Sequence, residues 1–352
     1  MPGAAAYAAI HARVRVMYST LLPGSEVDRL AETADYNTLL TQLKQSAYAP
    51  YLDRVKDKEL APRRAAFQMR VRLAEAYASV IAMAPKHTHD LLAQMYRRFE
   101  VDNLKGILRG IVSGASWDKV RFVLFPLTST SLPAQAMVET GNVTAAIELL
   151  QGTPYYETLS YAMKRYNVEQ NLFPLEVALD LAYWRKLWSE VNRLPGDDRV
   201  QALRVAGSLL DMNNLMWALR YRVYYNLSEE ELINYTLPFG FRVRDEDIRS
   251  IAAGTDLALV TSRIFPGIGD LETLFQDPRR GLQALELKLM RKVAYQCHAA
   301  FLGNPFHIGL LLGYLVLQEM EIQDLTVLIE AKSTDKAEDD FRTLLVAGSR
   351  LN

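Results

Sequence analysis

The chain has 352 residues, half of them apolar, with 40 basic against 41 acidic side chains and a net charge of −1. Near-neutrality argues against a protein whose main task is coating nucleic acid, which calls for a basic excess, and the single cysteine, Cys297, excludes an intramolecular disulfide. The expected setting is a reducing cytoplasm, and the length leaves room for two or three domains.

The first twenty residues place Arg13 and Arg15 after an apolar stretch. That is the reverse of a secretory signal, so the segment reads as a mature helix. Residues 30–52 then overlay 137–159 at a constant offset of 107: Glu32 and Thr33 fall on Glu139 and Thr140, Leu43 on Leu150, Tyr48 on Tyr155 and Leu52 on Leu159. A second series joins the later parts of the chain: Asn103-Leu104 with Leu108-Arg109, Asn214-Leu215 with Leu219-Arg220, and Asp324-Leu325 with Ile329-Glu330, spaced by 111 and 110 residues. Self-similarity at a fixed period indicates three variants of one unit of about 110 residues, with boundaries at 1–118, 119–228 and 229–352.

Apolar residues recur with the helical period throughout, as at Val71, Ala74, Ala78 and Ile81 or Leu285, Leu289, Val293 and Cys297. Each unit reads as short helices followed by a long antiparallel pair. Unit one has short elements over 25–51 and long helices near 62–83 and 89–112. Unit two has 134–167, then 175–194 and 198–225; unit three has 245–274, then 278–302 and 305–331. Pro62, Pro278 and Pro305 stand where a proline can open a helix. Short extended pieces are expected near 121–124 and 239–243, too few for a sheet. The longest apolar run, 308–317, is half the length of a membrane span, so Gly309 and Gly313 within it predict close helix packing in a core. A polar tail over 333–340 reads as a frayed linker before a short apolar end.

Signatures of chemistry are thin. None of the five histidines, His11, His87, His89, His298 and His307, stands in a metal-binding spacing. His87 and His89 are expected in a solvated loop. Cys297 and His298 are adjacent, which on a helix points them about 100° apart, so Cys297 reads as a buried structural thiol. No phosphate-cradling glycine loop is present, and no cofactor is expected. Asp197-Asp198, after Pro195-Gly196, reads as a cap on the following helix.

Two groups of arginines are candidates for a partner interface. Arg63, Arg64, Arg70 and Arg72 crowd one helix with no acidic residue between Leu60 and Ala74. Positive charge at that helix start opposes the dipole, which an acidic partner or anionic lipid would relieve; a solvated face is the alternative. Arg13, Arg109 and Arg220 recur at the ends of corresponding helices, where a cation suits the carboxyl-terminal dipole, and Arg15, two residues after Arg13, is a candidate with them.

With these residues in view, the chain resembles the central-stalk connector of V/A-type rotary ATPases, called the C subunit in bacteria and archaea and related to the d subunit of the eukaryotic V-ATPase. The resemblance spans essentially the whole length and is carried by Tyr7 with Ala12-Arg13-Val14-Arg15, Leu21-Leu22, Asp102-Asn103-Leu104 with Leu108-Arg109, and Asn214-Leu215 with Leu219-Arg220. It implies an all-α funnel of three similar helical subdomains about a pseudo-threefold axis. It also implies a seat on the membrane rotor ring of proteolipid subunits, a socket for the central-shaft subunits, and a non-enzymatic role in torque transmission on the cytoplasmic face of a membrane. The third unit departs from the pattern, with Glu330 where the others carry arginine. Two other readings stand beside this one: an unrelated all-α scaffold, and an all-α enzyme whose site would show as a deep pocket with carboxylates or histidines of shifted pKa.

Overall fold

The computed structural model describes residues 4–225 and 227–347, and among these every regular element is helical. Seven long helices dominate: α1 (Ala4–Tyr18), α2 (Pro62–Met83), α3 (His89–Val112), α4 (Phe173–Arg193), α5 (residues 196–225), α6 (Pro278–Ala299) and α7 (Ile308–Ser333). Pro62 and Pro278 occupy the first helical turn as expected, where no N–H is needed. Pro305 does not; α7 begins three residues later, after His307 in extended backbone. The two segments expected to be extended form no strand. Side chains of the preceding long helix hold their backbones instead, Asn103 at Phe125 and Asp211 at Phe241 to Val243.

The repeats are legible down to single hydrogen bonds. Asp35 caps the helix Tyr36–Leu43 by accepting from Thr38 N at 2.8 Å, and Asn142, 107 residues later, caps Val143–Glu148 through Ala145 N at 3.0 Å. Thr33 Oγ1 donates to Leu30 O, and Thr140 Oγ1 to Met137 O. Such side chains satisfy the otherwise free groups at helix ends.

Each repeat contributes a hairpin, α2/α3, α4/α5 and α6/α7. The second helix of each hairpin packs on the first helix of the next: α3 on α4, α5 on α6, and α7 back on α2. Leu104, Leu215 and Leu325 lie fully buried on α3, α5 and α7. At these seams three equivalent polar side chains grip the chain leaving the helix. Asn103 accepts from Phe125 N at 2.6 Å and donates to Phe125 O at 2.9 Å; Asn214 makes the same pair with Leu237, both at 2.8 Å. Asp324 accepts from Val346 N and Ala347 N, each at 2.7 Å.

The apolar run at 308–317 is explained by α7, which is buried on nearly all sides between α1, α2, α6, the helices Gly24–Ala31 and Tyr36–Leu43, and the start of α5. Its glycines are the close contacts that the sequence predicts. A Cβ on Gly313 would stand 2.8 Å from Cys297 O, and one on Gly309 would stand 2.9 Å from Gln201 Cβ. Among the described residues, no helix is long and apolar enough to cross a membrane. The polar tail is more ordered than the sequence suggests: Glu338–Arg342 is helical, Phe341 is buried, and Arg342 pairs with Asp28 at 3.1 Å. The last residues of the apolar end lie outside the described residues.

Candidate partner interface

The hairpin turns converge at one end of the molecule. Asp198, in the first turn of α5, is 4% exposed and receives three donors: Tyr7 Oη at 2.8 Å, His87 Nε2 at 2.7 Å and Ile308 N at 2.8 Å. Positions 87, 198 and 308 are spaced by 111 and 110 residues, so equivalent points of all three repeats meet on one carboxylate, with α1 added through Tyr7. Asp198 thus caps α7 rather than its own helix, and His87 belongs to this junction rather than to a free loop. The periodic Pro85, Pro195 and Pro305 at the same turns are a sequence signal of this junction, missed because each reads singly as an ordinary breaker.

Away from that end the long helices enclose a recess. A cavity of about 430 Å³ takes in Arg98, Asp102 and Lys105 of α3, Asp180 and Trp184 of α4, and Met212, Asn213 and Trp217 of α5. Its far wall is Glu286 and Met290 of α6 with Glu319 and Gln323 of α7. A second cavity of about 570 Å³ adjoins it across Asp102, Lys105, Glu319 and Gln323 and reaches Arg70, Gly106 and Val327. The same repeat positions therefore line the recess from each unit: 98, 209 and 319; 102, 213 and 323; 106, 217 and 327.

Charges in the recess are paired across units. Arg98 of α3 bonds Glu319 of α7, and Lys105 Nζ lies 2.7 Å from Asp180 and 2.9 Å from Asp102. Burial works to lower the Lys105 pKa, but the two carboxylates outweigh it and hold the ammonium charged. Burial raises the pKa of Asp180 from its ordinary value, although Lys105 pulls it down. No histidine lines the two cavities, and among the described residues no cluster of three or more His, Cys, Asp or Glu side chains could hold a metal ion. Shape and paired polar groups suit the recess to receiving a protein surface.

The candidate arginines separate into two classes. Arg13 and Arg63 are exposed, Arg15 is exposed while donating to Phe301 O at 3.0 Å, and Arg64 forms a surface pair with Glu59 at 3.1 Å. The other four act within the chain. Arg70 donates to Val123 O at 3.0 Å. Arg72 is buried, over the Tyr48 ring at 4.5 Å, with Thr20 Oγ1 at 2.7 Å and Glu321 at 3.5 Å. Arg109 bonds both oxygens of Glu176 at 2.6 and 2.7 Å, and Arg220 bonds Glu286 at 2.5 Å. These last two are one seam contact repeated, since 176 and 286 are also 110 residues apart. Cys297 is fully buried, burial pushes its thiol pKa up, and its neighbour His298 turns away to meet Tyr18 Oη at 2.8 Å.

Comparison with known proteins finds relatives that align along nearly the whole chain. The C subunit of the A-type ATP synthase of Methanocaldococcus jannaschii is 23% identical, over 97% of this chain and 87% of that protein. The protein of the same name from Methanothermobacter thermautotrophicus is 25% identical, over 92% of this chain and 83% of its own length. That from Haloferax volcanii is 22% identical, over 95% and 96%. The pattern of the ATP synthase (C/AC39) subunit family matches residues 10–344, and the chain belongs to that family.

Proposed function

We propose that this chain is a non-catalytic connector of a V/A-type ATP synthase, joining the central shaft to the proteolipid rotor ring and passing torque between them for ion transport. The observation that carries the reading is the pairing of a junction of hairpin turns with a recess. Equivalent positions of three units meet at Asp198, and equivalent positions line the cavity beyond it. This supports a funnel of three subdomains, 1–118, 119–228 and 229–352, about a pseudo-threefold axis. The boundaries at 1 and 352 lie outside the described residues. In this reading the recess receives the shaft, while the junction end, with Met83, Leu302 and Phe306 exposed on its turns, faces the ring on the cytoplasmic side of the membrane.

Torque coupling needs a stiff, broad joint with packed anchors and a polar rim. It needs no reacting group, and no nucleotide or other cofactor enters the role. The exposed Arg13, Arg15 and Arg63, with Arg64 beside them in its pair with Glu59, are proposed contacts to acidic partner surfaces. Their reversal should slow association most at low salt, where the attraction is least screened.

Reconstitution tests the assignment. An assembly lacking this chain should keep ATP hydrolysis in its detached head and lose ATP-driven ion transport, with transport restored on adding the chain back. Full ion pumping by a verified complex without it would overturn the reading.

A further inference from the structure

The seams and the recess treat the three repeats differently. At the seams equivalent positions keep their chemistry: Asn103, Asn214 and Asp324 all grip backbone, and Leu104, Leu215 and Leu325 are all fully buried. In the recess two of three sets of equivalent positions change chemistry outright, and the third stays polar but keeps its charge in one unit alone. Arg98, Leu209 and Glu319 share one position; Asp102, Asn213 and Gln323 another; Gly106, Trp217 and Val327 a third.

The divergence is put to use, because two recess ion pairs cross between units. Arg98 of the first unit bonds Glu319 of the third, its own equivalent, and Lys105 of the first bonds Asp180 of the second. The result is a recess with two unlike sides. Trp217 and Met290, with the buried Trp184 and Met212, form an aromatic and thioether side that adapts to apolar shapes, and the charge of Glu286 on the same helix as Met290 is taken up by Arg220. Arg98, Asp102, Lys105 and Glu319 form a charged side.

We propose that the recess is keyed: it takes one amphipathic shaft tip in a single rotational setting out of the three that its repeated backbone would allow. The apolar ridge of the tip lies against Trp217 and Met290, and its polar side, carrying both signs of charge, lies against the Arg98–Glu319 and Lys105–Asp180 pairs. This rests on the connector reading and adds to it a fixed angular phase between shaft and ring. The physical need is plain. Three chemically identical walls would make three settings equal in free energy, and a slip of one third of a turn would meet no equilibrium penalty. Unlike walls make the two wrong settings bury unpaired charge against apolar surface, which is strongly disfavoured.

The test uses the full chain in the assembled ATP synthase, with three separate variants, Asp102→Cys, Asn213→Cys and Gln323→Cys, at one repeat position. Each is oxidised against a single cysteine placed at the shaft tip. The native Cys297 is fully buried and does not compete. A keyed recess gives a disulfide from one variant at least tenfold faster than from the other two. Equal rates from all three overturn the key while leaving the connector standing. No cross-link from any variant, with the shaft still bound to the complex, overturns the placing of the shaft in the recess, and the key falls with it. Failure of the unmodified chain to bind the shaft at all overturns the connector reading itself. Image reconstruction of the unmodified complex tests the key without substitutions: one shaft orientation is expected, and three populated orientations would refute it.

Discussion

Two of the three seams are tied by the polypeptide itself, α3 to α4 through residues 113–172 and α5 to α6 through 226–277, whereas α7 and α2 meet with no connecting segment. The equivalent acids Glu100, Asp211 and Glu321 show how each kind of seam is held. Glu100 takes the hydroxyls of Thr130, at 2.6 Å, and Tyr155. Asp211 takes the backbone N–H groups of Phe241, Arg242 and Val243 at 2.8, 2.7 and 3.2 Å. Position 265, where the tyrosine would recur, carries Phe265, so the backbone supplies what the missing hydroxyl cannot. Glu321, at the untied seam, takes Tyr48 Oη at 2.6 Å and Leu22 N and alone of the three has a buried counterion, Arg72. There α1 also packs against both α7 and α2. A covalent link limits the entropy lost in bringing two hairpins together; where it is absent, a denser cluster and an added helix take its place.

This contrast can be broken most directly at the acids. Glu321→Ala strands the buried Arg72 and two donors and should cost about 3–5 kcal/mol in urea unfolding. Glu100→Ala, at a tied seam, should cost about 1–2 kcal/mol. Equal losses would mean that the chain connection is irrelevant. Next in size is Asp198→Ala, which leaves Tyr7, His87 and Ile308 without their acceptor. A loss of about 2–3 kcal/mol is expected, with faster amide exchange in α1 and the first turn of α7; unchanged exchange in α1 would detach that helix from the junction.

A pH profile sharpens the comparison at the second seam. Burial pushes the Asp211 carboxyl up to about 7, against the pull of its three backbone donors. The fold then holds a proton that the unfolded chain releases between the ordinary carboxylate range and about pH 7, so stability falls as pH rises through that window. Wild type should lose on the order of 2 kcal/mol across it relative to Asp211→Asn, which does not titrate there; parallel profiles would refute the shift.

The smallest effect is expected at the rim. The tied seams pair arginine on the second helix with glutamate on the next, as Arg109–Glu176 and Arg220–Glu286, while at the untied seam Glu330 stands on the second helix and acts electrostatically on Arg70 of α2. Exchanging these two, Arg70→Glu with Glu330→Arg, should change stability by about 0.5 kcal/mol or less, with each single reversal costing up to about 1 kcal/mol. A larger loss in the exchange than in either single variant would show that the reversed polarity matters to the register of the untied seam.

Much of the architecture was legible in sequence because it rests on local periodicity and on repetition. The bounds of α2 and α3 follow from apolar spacing and breakers, and the equivalence of Leu104, Leu215 and Leu325 follows from a constant offset. Local chemistry misled where long-range contacts took over. Asp198 has the spacing of a cap yet serves another helix 110 residues away. Arg72 has the look of a solvated cation yet is buried against Glu321, 249 residues away. The pieces near 122 and 241 have strand-like composition, but Asn103 and Asp211 satisfy nearby backbone groups without a sheet.

By itself, then, the sequence determined the helices, the threefold repetition and the correspondence of the repeated leucines, because helix period and self-similarity are properties of neighbours along the chain. Only the tertiary structure decided which charges are spent inside and which remain for partners, and that three turns meet on one carboxylate. It also decided that the enclosed recess has unlike walls. Those outcomes depend on which side chains of different repeats come within a few ångströms of one another, and closure of α7 onto α2 settles that in space rather than along the chain.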